Sequence, residues 1–269
     1  LPDMMNAAQS RTYASELLGT TGTKLTNFKF LRDDPGYYFY PSFHNETDWQ
    51  DITYRGAWTQ NYGINVQGGD DIASYNLSVG YARADNTLKM NSYDRFNLRL
   101  NSDIKLASRL FMRFDAAYSD VNRTMRDDGA PASISDGTPT APGFLGLVKS
   151  PFLSPYALDT YGNPSSFTAG ADDFLDDVLG KAESAGTVVN SSSLANPLAI
   201  LKYGEADNKN SFGNRMVSIT AAPRWEVNKH LTLSETFNFS MVNTDGTYYL
   251  PVEGTPTFYL EGIGGVKNV

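Results

Sequence analysis

The feature that most constrains this chain is a strict alternation of apolar and polar residues, which recurs in six segments. A period of two places successive side chains on opposite faces of a β-strand. The first segment shows the pattern clearly. Its apolar set is Trp58, Tyr62, Ile64 and Val66, and its polar set is Thr59, Asn61, Gly63, Asn65 and Gln67. The sequence therefore predicts an all-β chain of antiparallel strands, each with one apolar and one polar face.

The connections between the predicted strands alternate between short and long. Short turns lie at 68–71, 107–108 and 228–229, whereas the connections at 84–92 and 121–212 are longer. The predicted strands run over about 10 to 14 residues, against about 5–6 in globular proteins and about 9–11 in a tilted membrane strand. Short turns at one end and long loops at the other are typical of an outer-membrane barrel. The pattern thus predicts an antiparallel transmembrane β-barrel segment with long extracellular loops.

Aromatic residues near the strand ends agree with this orientation. Tyr81, Tyr93 and Tyr118 lie towards the long connections, and Trp225 lies near a short turn. Two such groups are expected as girdles at the two membrane interfaces.

The patterns divide the chain into five predicted segments. These are a lead-in that is partly loop (1–50), the first four barrel strands in two hairpins (51–120), a long extracellular loop (121–212), a barrel hairpin (213–246) and the start of the next extracellular loop (247–269).

Two residues fit the predicted membrane strands poorly, because Pro223 has no N–H to donate in a paired strand and Glu235 falls on an apolar face. Both lie close to a short turn, where the membrane interface is expected.

Composition excludes several classes of function. A net charge of −8 argues against a nucleic-acid binder, which would carry a basic face. The absence of cysteine excludes disulfides, zinc ribbons and thiol chemistry. No apolar run approaches the ~18 residues of a membrane helix. This last point excludes membrane helices only, since half of each strand in a barrel wall is polar.

Motifs for enzymatic chemistry are missing as well. No nucleophile elbow, phosphate-binding loop or zinc-protease motif occurs, and His44 and His230 lie far apart in the sequence. Asp127 and Asp128 are adjacent, which says nothing about a glycosidase pair. The acidic run at 172–177 lacks the ligand spacing of a calcium loop and is better explained as a short amphipathic helix. We expect neither an enzyme nor a bound metal or cofactor.

Several segments of the chain contain sequence motifs that resemble those of a known protein family. Residues 47–51 read TDWQD and residues 60–69 read QNYGINVQGG. Further motifs are YNLSVGY at 75–81, YDRFNLRLN at 93–101 and ANPLA at 195–199. Together they resemble the barrel of SusC/RagA-type TonB-dependent transporters, which are outer-membrane proteins of Bacteroidetes.

The resemblance implies a part of a barrel of about 22 strands, the plugged class. It implies import of large nutrients, either oligosaccharides or oligopeptides, across the outer membrane of a Gram-negative cell. The implied partners are a SusD-like surface lipoprotein, the lipid bilayer and the TonB complex, which acts through a plug that has no counterpart in this chain. The alternatives are a soluble secreted β-sandwich that binds glycans or adheres to surfaces, and a fragment of a surface hydrolase.

Two groups of residues are candidates for contact with solute or partners under this interpretation. The lumen-facing candidates are Arg95, Asn97, Arg99, Asp103, Arg113 and Asp115. They would bond the plug or line the solute path, and the alternative is a solvated ladder of ion pairs. The loop candidates for ligand or lid contact are Phe144, Phe152, Tyr156, Tyr161 and Phe167. Their alternative role is to pin the loop to itself.

Overall fold

The computed structural model of the chain describes residues 2–19, 25–125, 140–171, 194–204, 210–251, 253–255, 257–260 and 264–267. Its contacts divide the chain into two units. The first, here the sheet unit, comprises residues 56–125 and 207–248, and the second, the connection unit, comprises 1–55, 126–206 and 249–269.

The sheet unit contains one antiparallel sheet of seven strands. Strands are numbered in chain order over both units, and β5 and β6 belong to the connection unit. The strands of the sheet are β1 (Thr59–Gly69), β2 (Ala73–Asp85), β3 (Ser92–Ala107), β4 (Leu110–Thr124), β7 (Ser211–Asn228), β8 (Leu231–Ser234) and β9 (Phe237–Thr247). Their order is β1-β2-β3-β4-β7, and β8 and β9 both pair with β7. The predicted antiparallel all-β architecture is confirmed, with six strands of 11 to 18 residues. Within the described residues β1 and β9 are edge strands, so closure into a barrel stays a prediction.

The register aligns the apolar residues of neighbouring strands into continuous rows on one face of the sheet. One row contains Ile64, Val79, Leu98, Tyr118, Val217 and Met241. The next row contains Val66, Leu77, Leu100, Ala116, Ile219 and Phe239. Many of these side chains are exposed, including 68% of Ile64 and 59% of Phe239. The sheet therefore has an apolar face that is not buried as the core of a sandwich would be.

The tight turn between β1 and β2 depends on two residues. A Cβ atom on Gly69 would lie 2.6 Å from the carbonyl oxygen of Ala73, so only glycine fits there. The Asp70 carboxylate accepts hydrogen bonds from the backbone N–H groups of Ile72 and Ala73, at 2.8 and 2.9 Å. These two bonds hold the chain in its reversal and fix the register of the hairpin.

The sixth predicted strand is divided into β8 and β9, which corrects the prediction of one uninterrupted strand. The register is the same on both sides of the break, since Arg224 pairs with Ser234 and Ala221 pairs with Phe237. Across the break, the N–H of Glu235 donates to the Pro223 carbonyl oxygen at 3.1 Å. The reciprocal bond cannot form because proline has no N–H. The interruption is thus one missing bond in an otherwise continuous ladder.

The connection unit is built from short elements. They are α1 (Ala7–Gly19), α2 (Trp49–Thr53), α3 (Pro142–Val148), β5 (Tyr156–Leu158), β6 (Pro164–Thr168), α4 (Pro197–Tyr203), β10 (Thr257–Leu260) and β11 (Gly264–Lys267), with 3₁₀ turns at Leu25–Asn27, Lys29–Leu31 and Tyr40–Phe43. Among the described residues, no helix has the length and apolar character needed to cross a membrane.

Two small clusters of buried side chains join distant parts of this unit. Phe30 and Trp49 from the lead-in pack with Phe152 and Leu153 from the long connection. The indole N–H of Trp49 donates to the Ser150 carbonyl oxygen at 2.9 Å. The described part of the long connection is therefore packed against the lead-in. The second cluster consists of Leu145, Leu194, Ala195 and Ile200.

Candidate functional site

All six lumen-facing candidates lie on the polar face of the sheet. The register pairs Asn97 with Ser119, Arg99 with Ala117 and Asp103 with Arg113. Paired residues share a face, and residues two apart along a strand return to it. The structure thus brings the six residues together on two neighbouring strands, β3 and β4.

The ion pair formed on this face runs along a strand instead of across the strand pair. Arg113 Nε lies 3.0 Å from Asp115 Oδ2, so it binds the carboxylate two residues further along β4 and not its register partner Asp103. The side-chain amide of Asn101 donates to the other oxygen of Asp115 at 2.6 Å. The Asp115 carboxylate is therefore satisfied by two donors from β3 and β4.

Arg95 and Arg99 have a different environment. In the register, Arg95 lies between Ala82 and Val121, and Arg99 lies between Ser78 and Ala117. None of these neighbours carries a charge, and both arginines are exposed. Within the described part of the chain neither guanidinium has a carboxylate partner. These two cations are available to a group from outside the sheet.

Sequence reasoning missed the positions on β1 and β2 that extend this polar surface. Gly63 pairs with Gly80, and Asn65 pairs with Ser78. An open depression of about 340 Å³ is lined by these four residues and by Ile64, Val79, Asn97 and Arg99. The signal that would have found it is a pair of glycines at equivalent polar positions of two adjacent strands.

The aromatic residues near the strand ends lie on both faces of the sheet. Tyr81 and Tyr118 lie on the apolar face, and the Tyr81 hydroxyl donates to Asp94 at 2.8 Å. Tyr93, which pairs with Ala84 and Arg123, lies on the polar face. The Arg123 guanidinium is 5.4 Å from the centre of the Tyr93 ring. Tyr93 therefore lies on the opposite face from Tyr81 and Tyr118, which corrects the prediction that all three belong to one lipid-facing girdle.

The five loop candidates separate into buried and exposed residues. Phe152 is a core residue with 1% of its surface exposed, and its ring stacks on that of Phe30 at 5.5 Å. Phe152 therefore pins the long connection to the lead-in rather than to itself, and its buried ring is not available for contact with a ligand. Phe144 is half-buried on α3. By contrast, Tyr161 is 87% and Phe167 71% exposed.

The exposed rings belong to the β5–β6 hairpin, which also carries Tyr156. Its turn is shaped by Asp159, whose carboxylate accepts from the backbone N–H groups of Tyr161 and Asn163 at 2.8 and 2.9 Å. Hydrogen bonds from Asn163 and Tyr161 to this carboxylate lower the pKa of Asp159 below its ordinary value. The hairpin therefore holds Tyr161 at an ordered, solvent-exposed turn.

Within the part of the chain that the structure describes, His44 is engaged with an acidic residue of the lead-in. His44 contacts Asp33 at 3.2 Å, and the hydrogen bonds that Asp33 accepts from Arg11 and His44 lower its pKa. Among the described residues no group of acidic or histidine side chains could hold a metal ion. The acidic positions 127–128 and 172–177 lie outside the described residues.

The chain was compared with known proteins by sequence and by structure, and both comparisons find similar proteins. No family model matches the chain. A curated relative, TonB-dependent receptor P26 of Formosa agariphila, is 26% identical over 166 residues, which cover 58% of this chain and 16% of that protein.

Solved structures show the same fold. The RagAB peptide transporter matches with a TM-score of 0.53 at 19% identity, over 91% of this chain and 26% of the transporter chain. The RagAB peptide importer in its "open-open" state matches with a TM-score of 0.51 at 19% identity, over 82% of this chain and 21% of that chain. The chain thus spans about a quarter or less of the proteins it matches. The resemblance predicted from the sequence motifs is confirmed: over a part of their length, this chain is similar to SusC/RagA-type TonB-dependent transporters.

Proposed function

We propose that this chain forms part of the barrel wall of a TonB-dependent importer in the outer membrane of a Gram-negative bacterium. The importer takes up large nutrients, oligosaccharides or oligopeptides, and works with a SusD-like surface lipoprotein. The sequence similarity to a TonB-dependent receptor and the fold shared with the RagAB peptide transporter support this proposal.

The observation that carries the proposal is the uncovered apolar face of the sheet. Its rows of apolar side chains continue across six strand positions, as in the row that contains Leu98 and Tyr118. A large contiguous apolar surface on a soluble protein needs a partner to cover it. In a membrane barrel the same surface faces lipid, and the polar face lines the lumen.

The connections define the orientation of this wall. The short turns, such as the one held by Asp70, lie at the periplasmic end, and the long connections lie at the outer mouth. The exposed rings of Tyr156, Tyr161 and Phe167 are then placed to contact the lipoprotein or an incoming solute. The lumen-facing set on β3 and β4 is placed to contact solute or the plug, through which the TonB complex would act.

Substitution of two adjacent residues by arginine tests the proposal. Leu100 lies on the apolar face and Asn101 on the polar face of β3. An arginine facing lipid near midplane costs about 2–4 kcal/mol, so Leu100→Arg should reduce assembly in the outer membrane. Asn101→Arg is the matched control, because it places the new cation beside the Asp115 carboxylate that Asn101 already contacts.

The measurement is the amount of the polypeptide containing this sequence in the outer-membrane fraction, together with its heat-dependent shift on a gel. Loss of assembly for Leu100→Arg but not for Asn101→Arg supports the proposal. Equal assembly of both variants would contradict the assignment of the two faces. Extraction of the unmodified protein by buffer without detergent would favour the soluble β-sandwich instead.

A further inference from the structure

The polar face of β1, β2 and β3 contains a depression whose ligand the proposed function does not name. In the register, Gly63, Gly80 and Asn97 form one row, and Asn65, Ser78 and Arg99 form the next. The depression between these rows has a volume of about 340 Å³. Because its lining residues come from three strands of one sheet, the ladder fixes their spacing.

The side chains around the depression present hydrogen-bond donors. The Ser78 hydroxyl donates to Asn65 Oδ1 at 3.1 Å, and the Ser119 hydroxyl donates to Asn97 Oδ1 at 3.0 Å. Both amide oxygens are therefore engaged, and the two amide nitrogens remain available as donors. In the part of the chain that the structure describes, neither nitrogen has a side-chain partner.

Arg99 adds a positive charge at the edge of the same depression. Its register neighbours Ser78 and Ala117 offer no carboxylate, and its side chain is exposed. No acidic residue lines the depression. Two amide donors and a guanidinium therefore surround a space in which the complementary group is an anionic acceptor.

The two glycines at the depression are not required by the sheet itself. A Cβ atom on Gly63 would come no closer than 4.0 Å to its nearest neighbour, and one on Gly80 no closer than 3.9 Å. The glycines with positive φ in the described residues are Gly162 and Gly254, so neither Gly63 nor Gly80 needs an unusual backbone conformation. Glycine weakens a strand and often marks a bulge, a tight bend, or a place where a ligand or another backbone approaches closely. The open space therefore points to an occupant from outside the sheet.

We propose that this depression binds the carboxylate of an acidic peptide, with Arg99 as the charged partner and the amides of Asn65 and Asn97 as further donors. The planar guanidinium matches a carboxylate with two parallel hydrogen bonds. The bare backbone at Gly63 and Gly80 lets a peptide chain lie close to the strands. No aromatic ring lines the site to stack on a sugar. The inference rests on the proposed function, in which this face lines the lumen.

The test measures the binding of two end-blocked hexapeptides. The protein is first assembled in the outer membrane and then purified from it in detergent. The peptides have the sequences Ala-Ala-Glu-Ala-Ala-Ala and Ala-Ala-Gln-Ala-Ala-Ala, and differ only in the carboxylate. We expect the glutamate peptide to bind about tenfold tighter, as a charge-assisted hydrogen bond provides. Arg99→Gln should abolish this preference, and Gly80→Val should weaken binding of the glutamate peptide by filling the depression.

Arg224→Gln is the matched control, since Arg224 lies on the same face but pairs with Glu226 at 3.1 Å and is remote from the depression in the register. It should leave the preference unchanged. Equal affinity for the two peptides, a preference that survives Arg99→Gln, or tighter binding of trigalacturonate than of the glutamate peptide would each overturn the inference. Because the assay uses assembled protein, these results would leave the proposed membrane location standing.

Discussion

At the scale of single residues, a few buried or turn-forming polar groups determine the local backbone. Asn196 is fully buried, and its side-chain amide donates to the carbonyl oxygens of Pro155 and Ala169, both at 2.9 Å. Its oxygen accepts from the N–H of Leu198 at 3.0 Å and so caps helix α4. One side chain thus joins a helix start to the two ends of the β5–β6 hairpin.

Removing these bonds should loosen the hairpin. Asn196→Ala removes both amide bonds: the part-buried carbonyl oxygen of Ala169 loses this donor, at a cost of about 1–3 kcal/mol, whereas the Pro155 oxygen still accepts from the N–H of Ala169 at 3.0 Å. Asn196→Asp keeps the helix cap but sets a carboxylate oxygen against the two carbonyl oxygens, so it should be at least as damaging. We expect limited proteolysis within 156–168 to accelerate in both variants. Unchanged cleavage in Asn196→Asp would show that the helix cap alone is the important contact.

The turn residue Asp70 provides a prediction about pH. The backbone N–H groups of Ala73 and Ile72 donate to its carboxylate and lower its pKa below the ordinary value of 3.8. A lowered folded-state pKa adds stability that is present above 3.8 and is lost as the pH falls through the lower, folded-state pKa. Asp70→Asn keeps an acceptor oxygen but cannot titrate. The unfolding temperature can be measured as the temperature at which the protein shifts on a gel. For Asp70→Asn this temperature should change less between pH 6 and about pH 3 than for the unmodified protein. An identical pH response of the two proteins would contradict this role.

At the scale of elements, alternation predicted the strands and their faces because a one-residue slip would move every side chain to the other face. Leu98 and Arg99 lie on the faces that the pattern assigned to them. The break between β8 and β9 was not predicted. Its cause lies on β7, where Pro223 removes one donor from the ladder, and the alternation within one strand carries no information about its partner.

Restoring that donor should strengthen the ladder between β7 and β9. Pro223→Val supplies an N–H that can donate to the Glu235 carbonyl oxygen, and valine suits a strand. The added bond should contribute about 0.5–1.5 kcal/mol and raise the unfolding temperature of the assembled protein. The control is Ala222→Val, at a neighbouring position that already has its N–H. A lower unfolding temperature for Pro223→Val would mean that the break relieves strain.

At the scale of the whole molecule, the sequence predicted the sheet but not the packing of the long connection. The contacts that order it join residues far apart in the chain, such as Thr47 with Leu153 at 2.6 Å. No local pattern reports such contacts, since these two residues are 106 positions apart in the sequence. Asn97 and Arg99 were among the lumen-facing candidates, but Asn65 was missed as their neighbour, because the three residues come together only when the register of three strands is known.

The edges of the sheet provide a prediction about the complete barrel. β3 pairs on both sides, whereas β1 and β9 pair on one side within the described residues. Unpaired backbone groups are not tolerated in lipid, so both edges need neighbouring strands from elsewhere in the barrel. Hydrogen exchange of the membrane-assembled protein should then be as slow in β1 and β9 as in β3. Fast exchange of alternate amides in β1 or β9, with β3 protected, would show that the sheet ends at those strands and would contradict the barrel.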